Sequence, residues 1–259
     1  MIQLEKNERK LLYPLFKDMH DTLILTCLEG HMGDAYVDQL PEPSCAKLII
    51  ADFCFIAGNT TSEFAEDIVS FTPKEYQNDF LIYVTQNDEW NKLLEQCYGE
   101  KCKSFIRYAF YKDASNMKPI KLKEYIQSLP SEYEIKQIDE VIYHQIMLES
   151  WSKDLCSSFL TAEDYITRGI GFAVVKDSEI VAGASSYTIY DGGIEIELDT
   201  KPEYRQKGLA TAVASALILY CLEHDIYPSW DAANLTSVKI ATKLGYQFDK
   251  EYTCYYVKM

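Results

Sequence analysis

The chain has 259 residues, a formal net charge of −15, 47% hydrophobic and 13% aromatic residues. That length accommodates two modest domains, and that apolar content supplies packed cores, which excludes a disordered chain. Neither half carries a basic stripe, which argues against nucleic acid or an anionic membrane as partner. The acidity suits a cationic amine substrate while mostly forming a solvated surface.

Residues 5–20 set Leu11, Leu12, Leu15, Phe16 and Met19 at helical spacing and predict an amphipathic helix ending near His20. Residues 22–28 are a short apolar run that fits strand or helix, broken by Gly30 and Gly33. After the loop Pro41-Glu42-Pro43-Ser44, residues 46–57 read as a strand or strand pair rich in Ile and Phe. Residues 58–62 open a helix. A strand over 80–85, a helix from Asp88 to about Tyr98 and a strand over 104–110 follow. This half has no phosphate loop: Gly30-x-x-Gly33 has no basic neighbour and reads as a turn. His20 and His31 lack a matching carboxylate pattern, so no metal site is expected. Residues 118–131, marked by Pro119 and Pro130, are expected to carry a short helix and link domains 1–130 and 131–259.

The second half alternates more regularly. It reads as a strand over 133–138, a helix capped by Asp139, a short helix capped by Thr161, a hairpin over 172–190 and a strand over 194–200. A loop and long helix over 208–224, a strand over 227–232, a helix over 234–244 closed by Gly245, and a last strand over 248–257 complete it. The eight cysteines form no C-x-x-C and sit mostly in apolar runs, which predicts buried reduced thiols. The first ten residues lack an apolar signal region and no apolar run reaches membrane length, so a cytoplasmic protein is expected.

One stretch organises the rest. In residues 198–222 a strand end runs into a tight basic loop and then a long helix. A helix start offers unpaired N–H groups and the positive end of its dipole. Gly208 and the small Ala210 let a diphosphate approach the backbone, while Lys201, Arg205 and Lys207 concentrate positive charge in an acidic half. The run Arg205-Gln206-Lys207-Gly208-Leu209-Ala210 resembles the acyl-CoA pyrophosphate loop, R/Q-x-x-G-x-G/A, of the GNAT N-acetyltransferase superfamily. Residues 234–246 resemble that family's second segment, N-x-x-[SA]-x-x-x-[YA]-x-K-x-G-[FY], and the elements between are in family order.

The resemblance implies a GNAT fold over residues 131–259: mixed α/β (α+β), with a mixed central sheet. The N-terminal α/β domain is then expected to be a degenerate GNAT-like half. The resemblance also implies acetyl-CoA as cosubstrate, held by Arg205, Gln206, Lys207, Gly208, Leu209, Ala210 and Thr211. Asn234 and Ser237 would meet its pantetheine arm, and backbone N–H groups around Leu198 to Thr200 would serve the developing oxyanion. The acceptor would be an amine of a small molecule or peptide, and pairing into a homodimer is common in the family.

Glu195, Glu197 and Asp199 alternate with Ile194, Ile196 and Leu198. They are either the solvated face of a strand or carboxylates crowded enough to supply a general base. Glu195 is the first candidate and Glu197 the second. Asp199 would instead attract the cationic substrate, and Asp231 is a further candidate. The family's usual tyrosine acid position holds Ala241, and Tyr246 falls where the family has a core aromatic. That departure leaves open a non-catalytic acyl-CoA-binding regulatory protein.

Overall fold

The computed structural model describes residues 1–77 and 80–259. In chain order the elements are β1 (Ile2–Gln3), α1 (Tyr13–Phe16), α2 (Thr22–Leu28), β2 (Asp34–Val37), β3 (Cys45–Ile50), β4 (Phe53–Gly58), α3 (Ala65–Ser70), β5 (Phe80–Thr85), α4 (Asp88–Tyr98) and β6 (Cys102–Phe110). They continue with α5 (Pro119–Gln127), β7 (Glu134–Gln137), α6 (Glu140–Leu148), α7 (Ala162–Arg168), β8 (Gly171–Lys176), β9 (Glu179–Tyr190) and β10 (Gly193–Thr200). The chain ends with α8 (Leu209–Glu223), β11 (Tyr227–Ser229), β12 (Asp231–Ala232), α9 (Leu235–Leu244) and β13 (Phe248–Lys258).

Unit 1 comprises residues 1–107 and 251–259, and unit 2 residues 108–250. Position 130, the predicted boundary, lies inside unit 2. There α5, with Leu122 fully buried, packs on α8. The segment expected to link the halves is therefore part of a packed layer.

In unit 1 the strands β2, β3 and β4 are antiparallel, β5 runs parallel to β4, and β13 pairs antiparallel to β5. All six residues of β3 are buried, because α2 and α3 both pack on it. Trp90, Tyr83 and Ile56 lie in the core with its Ile49. The ambiguous run 22–28 is a helix, with the Asp21 carboxylate accepting from Leu23 N at 2.9 Å. The helix expected over 5–20 is instead a 3-10 turn, Arg9–Leu12, followed by the four-residue α1. Pro14 stands at the start of α1. Its ring and missing N–H suit a first helical turn and interrupt a longer helix. Arg9, placed by periodicity on a polar face, turns inward to Gly33 O at 2.8 Å and Asp34 at 3.4 Å.

In unit 2 a five-stranded sheet has the order β11-β10-β9-β8-β7, antiparallel except for the parallel β10–β11 pair. The apolar helix α8 packs on β8, β9, β10 and β11. The side chains of Asp139 and Thr161 cap α6 and α7 as expected. Residues 1–110 and 134–258 each run through β-α-α-β-β-β-α-β-α-β, the second with the short β12 inserted before α9, and in each a helix joins the fourth strand to a parallel fifth. Among the described residues no helix is long and apolar enough to cross a membrane.

Candidate active site

The site begins where two strands of unit 2 part. Strand β10 pairs with β9 through to Thr200, and Lys201 N donates to Val181 O at 3.0 Å. Its pairing with β11 covers Gly193, Ile194 and Glu195 and stops at Ser229. Alternate residues of a strand turn their N–H and C=O to opposite edges. Since Lys201 faces β9, Leu198 and Thr200 face the other edge, beyond the reach of the β11 pairing. Their backbone groups border the gap. Thr200 O accepts from Arg205 Nε at 3.1 Å, and the buried Thr200 Oγ1 has no hydrogen-bond partner.

The loop after β10 delivers the start of α8 to that gap. Gln206 (φ 64°) and Gly208 (φ 82°) adopt left-handed backbone, and a Cβ built on Gly208 would meet nothing within 4 Å. No side chain caps α8. At this end Ala212 N donates to Gly208 O at 3.1 Å, so Leu209, Ala210 and Thr211 bring helix-start N–H groups to the loop. The apolar Leu209 side chain is buried and anchors the turn. Fifteen residues of aligned peptide dipoles favour an anion here. A diphosphate fits this open, uncapped, left-handed turn.

Only part of the predicted positive cluster is available to such an anion. Arg205 and Lys207 are exposed, with Lys207 Nζ 4.7 Å from the centre of the Tyr204 ring. Lys201 faces Glu179 at 2.5 Å, Glu149 at 3.2 Å and Glu203 at 4.0 Å, and the hydrogen bonds to Glu179 and Glu149 raise its pKa. Its charge is spent on those carboxylates.

The second helix start is built differently. Asn234 caps α9, its Oδ1 accepting from Thr236 N and Ser237 N, each at 3.0 Å. Its amide nitrogen remains a donor. Ser237 Oγ accepts from Trp230 Nε1 at 3.0 Å. Ala241 is fully buried. Tyr246, 2% exposed, donates to Pro228 O at 2.5 Å and packs on Trp230 and Phe110. It is a core residue.

The three carboxylates of β10 share a face but not an environment. Glu195 is 6% exposed, flanked by Thr188 on β9 and Ser229 on β11. Glu197 stands opposite Ser185, and Asp199 opposite Gly183. Burial first, and the charge of Asp154 second, push Asp199 up to about 6, with Arg205 pulling the other way. Asp154 belongs to a 3-10 turn, Lys153–Leu155, that packs on β9 and β10. Leu155 lies over Gly183, where a Cβ would come within 2.4 Å of it. Sequence spacing gives no sign of the Asp154–Asp199 pair, because packing alone unites them. Asp231 lies on β12, paired with Ala109 of β6.

The GNAT acetyltransferase family model matches residues 13–255. The Bacillus subtilis (strain 168) protein named Uncharacterized N-acetyltransferase YdfB is 28% identical over 264 residues, covering 98% of this chain and 97% of that one. A crystal structure of a GCN5-related N-acetyltransferase-like protein from Streptococcus suis 89/1591 superimposes with TM-score 0.89 at 38% identity, over 98% and 99% of the two chains. A tandem GNAT protein from the clavulanic acid biosynthesis pathway shares the fold, with TM-score 0.58 at 11% identity over 99% and 97%.

Proposed function

The chain belongs to the GNAT acetyltransferase family and is an acetyltransferase; from that premise we propose that unit 2 transfers an acetyl group from acetyl-CoA to an amine by direct attack, while unit 1 is a GNAT-like half without a cosubstrate site. The observation that carries this reading is the end of β10–β11 pairing at Glu195 and Ser229, next to the uncapped start of α8. Bound acetyl-CoA would supply an acyl group already activated as a thioester. Arg205, Gln206, Lys207, Gly208, Leu209, Ala210 and Thr211 hold the pyrophosphate through N–H groups and two cations. Leu198 N–H, with Thr200 beside it, donates to the acyl oxygen. The amide nitrogen of Asn234 and the hydroxyl of Ser237 face the pantetheine arm.

The acceptor amine must be neutral to attack, so a carboxylate that ionises near neutrality is needed beside it. Asp199 meets that need, in place of the Glu195 and Glu197 expected from the sequence; Glu195 is deeply buried. With Asp154 across from it, Asp199 also draws a cationic amine of a small molecule or peptide toward the gap.

A free-thiol release assay with acetyl-CoA across a panel of amines tests the reading. Thiol release with at least one amine, lost in Asp199→Asn while acetyl-CoA still binds, is the expected result. Tight acetyl-CoA binding with no thiol release from any amine would favour a non-catalytic acyl-CoA-binding protein.

A further inference from the structure

We propose that Ser237 donates a hydrogen bond to the sulfur that departs during acyl transfer, doing for the thiolate what a tyrosine acid would otherwise do. This rests on the acetyl-transfer reading above.

The argument starts from hydrogen-bond bookkeeping. An indole N–H only donates. At 3.0 Å from Trp230 Nε1, Ser237 Oγ must therefore be the acceptor of that pair. Its own proton has to point elsewhere. The platform behind it is fixed: Trp230 is 6% exposed, its ring lies 5.3 Å from that of Tyr246, and Tyr246 is tied to Pro228 O. The backbone of Ser237 is fixed as well, through Asn234 Oδ1. A serine held on both sides, with its proton left for a third partner, is a preorganised donor.

Position supplies the second part. Ser229 is the last β11 residue paired with β10, and Trp230 follows it directly. The Trp230 backbone thus stands at the β11 rim of the gap with the Ser237 hydroxyl tied to its indole, while Leu198 N–H borders the gap from β10. A thioester lying between the rims has one donor for its oxygen and another for its sulfur. Ser237 is also in the first turn of the ten-residue α9, whose positive end favours a thiolate. The other groups of this segment are unsuited: Ala241 has no proton to give, and the Tyr246 hydroxyl is committed to Pro228 O.

The step balances without an added reactant. The amine nitrogen bonds to the acyl carbon, the C–S bond breaks, and sulfur leaves with the electron pair as a thiolate. The proton lost by nitrogen goes to the Asp199 carboxylate. Ser237 keeps its proton, since an alcohol is too weak an acid to protonate a thiolate, and the thiolate takes a proton from water on release.

The test compares binding of CoA and of desulfo-CoA, at about pH 7 and about pH 9.5, to the wild-type chain and to Ser237→Ala. In the wild type the preference for CoA is expected to grow about tenfold at the higher pH as the thiol ionises. In Ser237→Ala it should stay flat, with desulfo-CoA affinity unchanged within about twofold. Turnover should fall about 10- to 100-fold in Ser237→Ala and return largely in Ser237→Thr, which keeps the hydroxyl. Trp230→Phe, which frees the hydroxyl to rotate, should lose about threefold. A wild type that binds both ligands without a pH-dependent preference overturns this proposal and leaves the acetyl-transfer reading standing, as does full turnover in Ser237→Ala. A wild type that binds neither ligand overturns both.

Discussion

Residues 1–110 and 134–258 run through the same element series, β12 apart, but end their fourth strands in opposite ways. In unit 2 the β10–β11 pairing stops at Glu195, and two left-handed residues lead to a helix with no capping side chain. In unit 1, β4 and β5 pair from Phe53↔Ile82 to Ile56↔Thr85, and Gln86 continues the closure. Its N–H donates to Ile56 O at 3.1 Å and its side chain accepts from Gly58 N at 3.1 Å. The following loop satisfies itself: Asn59 Oδ1 accepts from Thr61 N, and Ser62 Oγ from Phe64 N. Helix α3 has six residues and carries Glu66 and Asp67 in its first turn, where they oppose a phosphate. Topology alone therefore does not make a CoA site. The proposed site in unit 2 adds an unzipped strand end, helix-start N–H groups with no capping side chain, and the exposed Arg205 and Lys207.

The largest expected effect separates the units by chemistry. Asp199→Asn should lower kcat/KM about 10²- to 10⁴-fold. In the wild type kcat/KM should rise with pH through about 6, as Asp199 ionises, and that limb should vanish in the variant. The same substitution should stabilise the fold. The folded pKa of about 6 lies above the ordinary 3.8, so the native state loses stability as pH rises between those values. A neutral amide removes a penalty of up to ~3 kcal/mol at neutral pH, measurable by urea denaturation.

Matched glycine substitutions come next. Gly208→Ala should weaken acetyl-CoA binding about 10- to 100-fold by placing a methyl group where the diphosphate would lie, while the left-handed backbone costs only ~1 kcal/mol of stability. In Gly58→Ala the new Cβ would stand 2.3 Å from Ser44 O. That variant should lose ~3 kcal/mol or more and keep its acetyl-CoA affinity in whatever fraction folds. A reversed pattern would mean that unit 1 holds the ligand.

Smaller effects distinguish the cations of the loop. Arg205→Ala should raise the acetyl-CoA Kd about tenfold. Lys201→Met should change it less than about threefold, because Lys201 already serves Glu149 and Glu179. Smallest of all, Gln86→Ala should reduce stability by ~1 kcal/mol through the loss of the bonds to Gly58 N and Leu15 O, with no change in affinity.

Much of this architecture is legible from local chemistry. Asp139 and Thr161 each cap the helix expected of them, and the strand over 80–85 and the helix from Asp88 to Tyr98 coincide with β5 and α4. Two kinds of feature resist such reading. One is chain geometry that periodicity overlooks, as where Pro14 divides the N-terminal helix or where Arg9 and Lys47 turn inward. Lys47, fully buried, donates to Val69 O and Phe71 O and is lowered to about 8 by burial. The other is any property set by residues distant in sequence. The motif identifies the loop at 205–210, but the lost availability of Lys201 depends on Glu149 and Glu179, and the raised pKa of Asp199 depends on Asp154. Ser237 lies inside the second motif segment and Trp230 just before it, yet only the folded turn shows that the Ser237 hydroxyl accepts from the indole.

Isothermal titration of the full chain with acetyl-CoA tests the contrast between the units most directly. One molecule per chain is expected, with binding weakened by Gly208→Ala or Arg205→Ala and unmoved by Gln86→Ala. A second site of comparable affinity, or binding that survives both unit 2 substitutions, would contradict it.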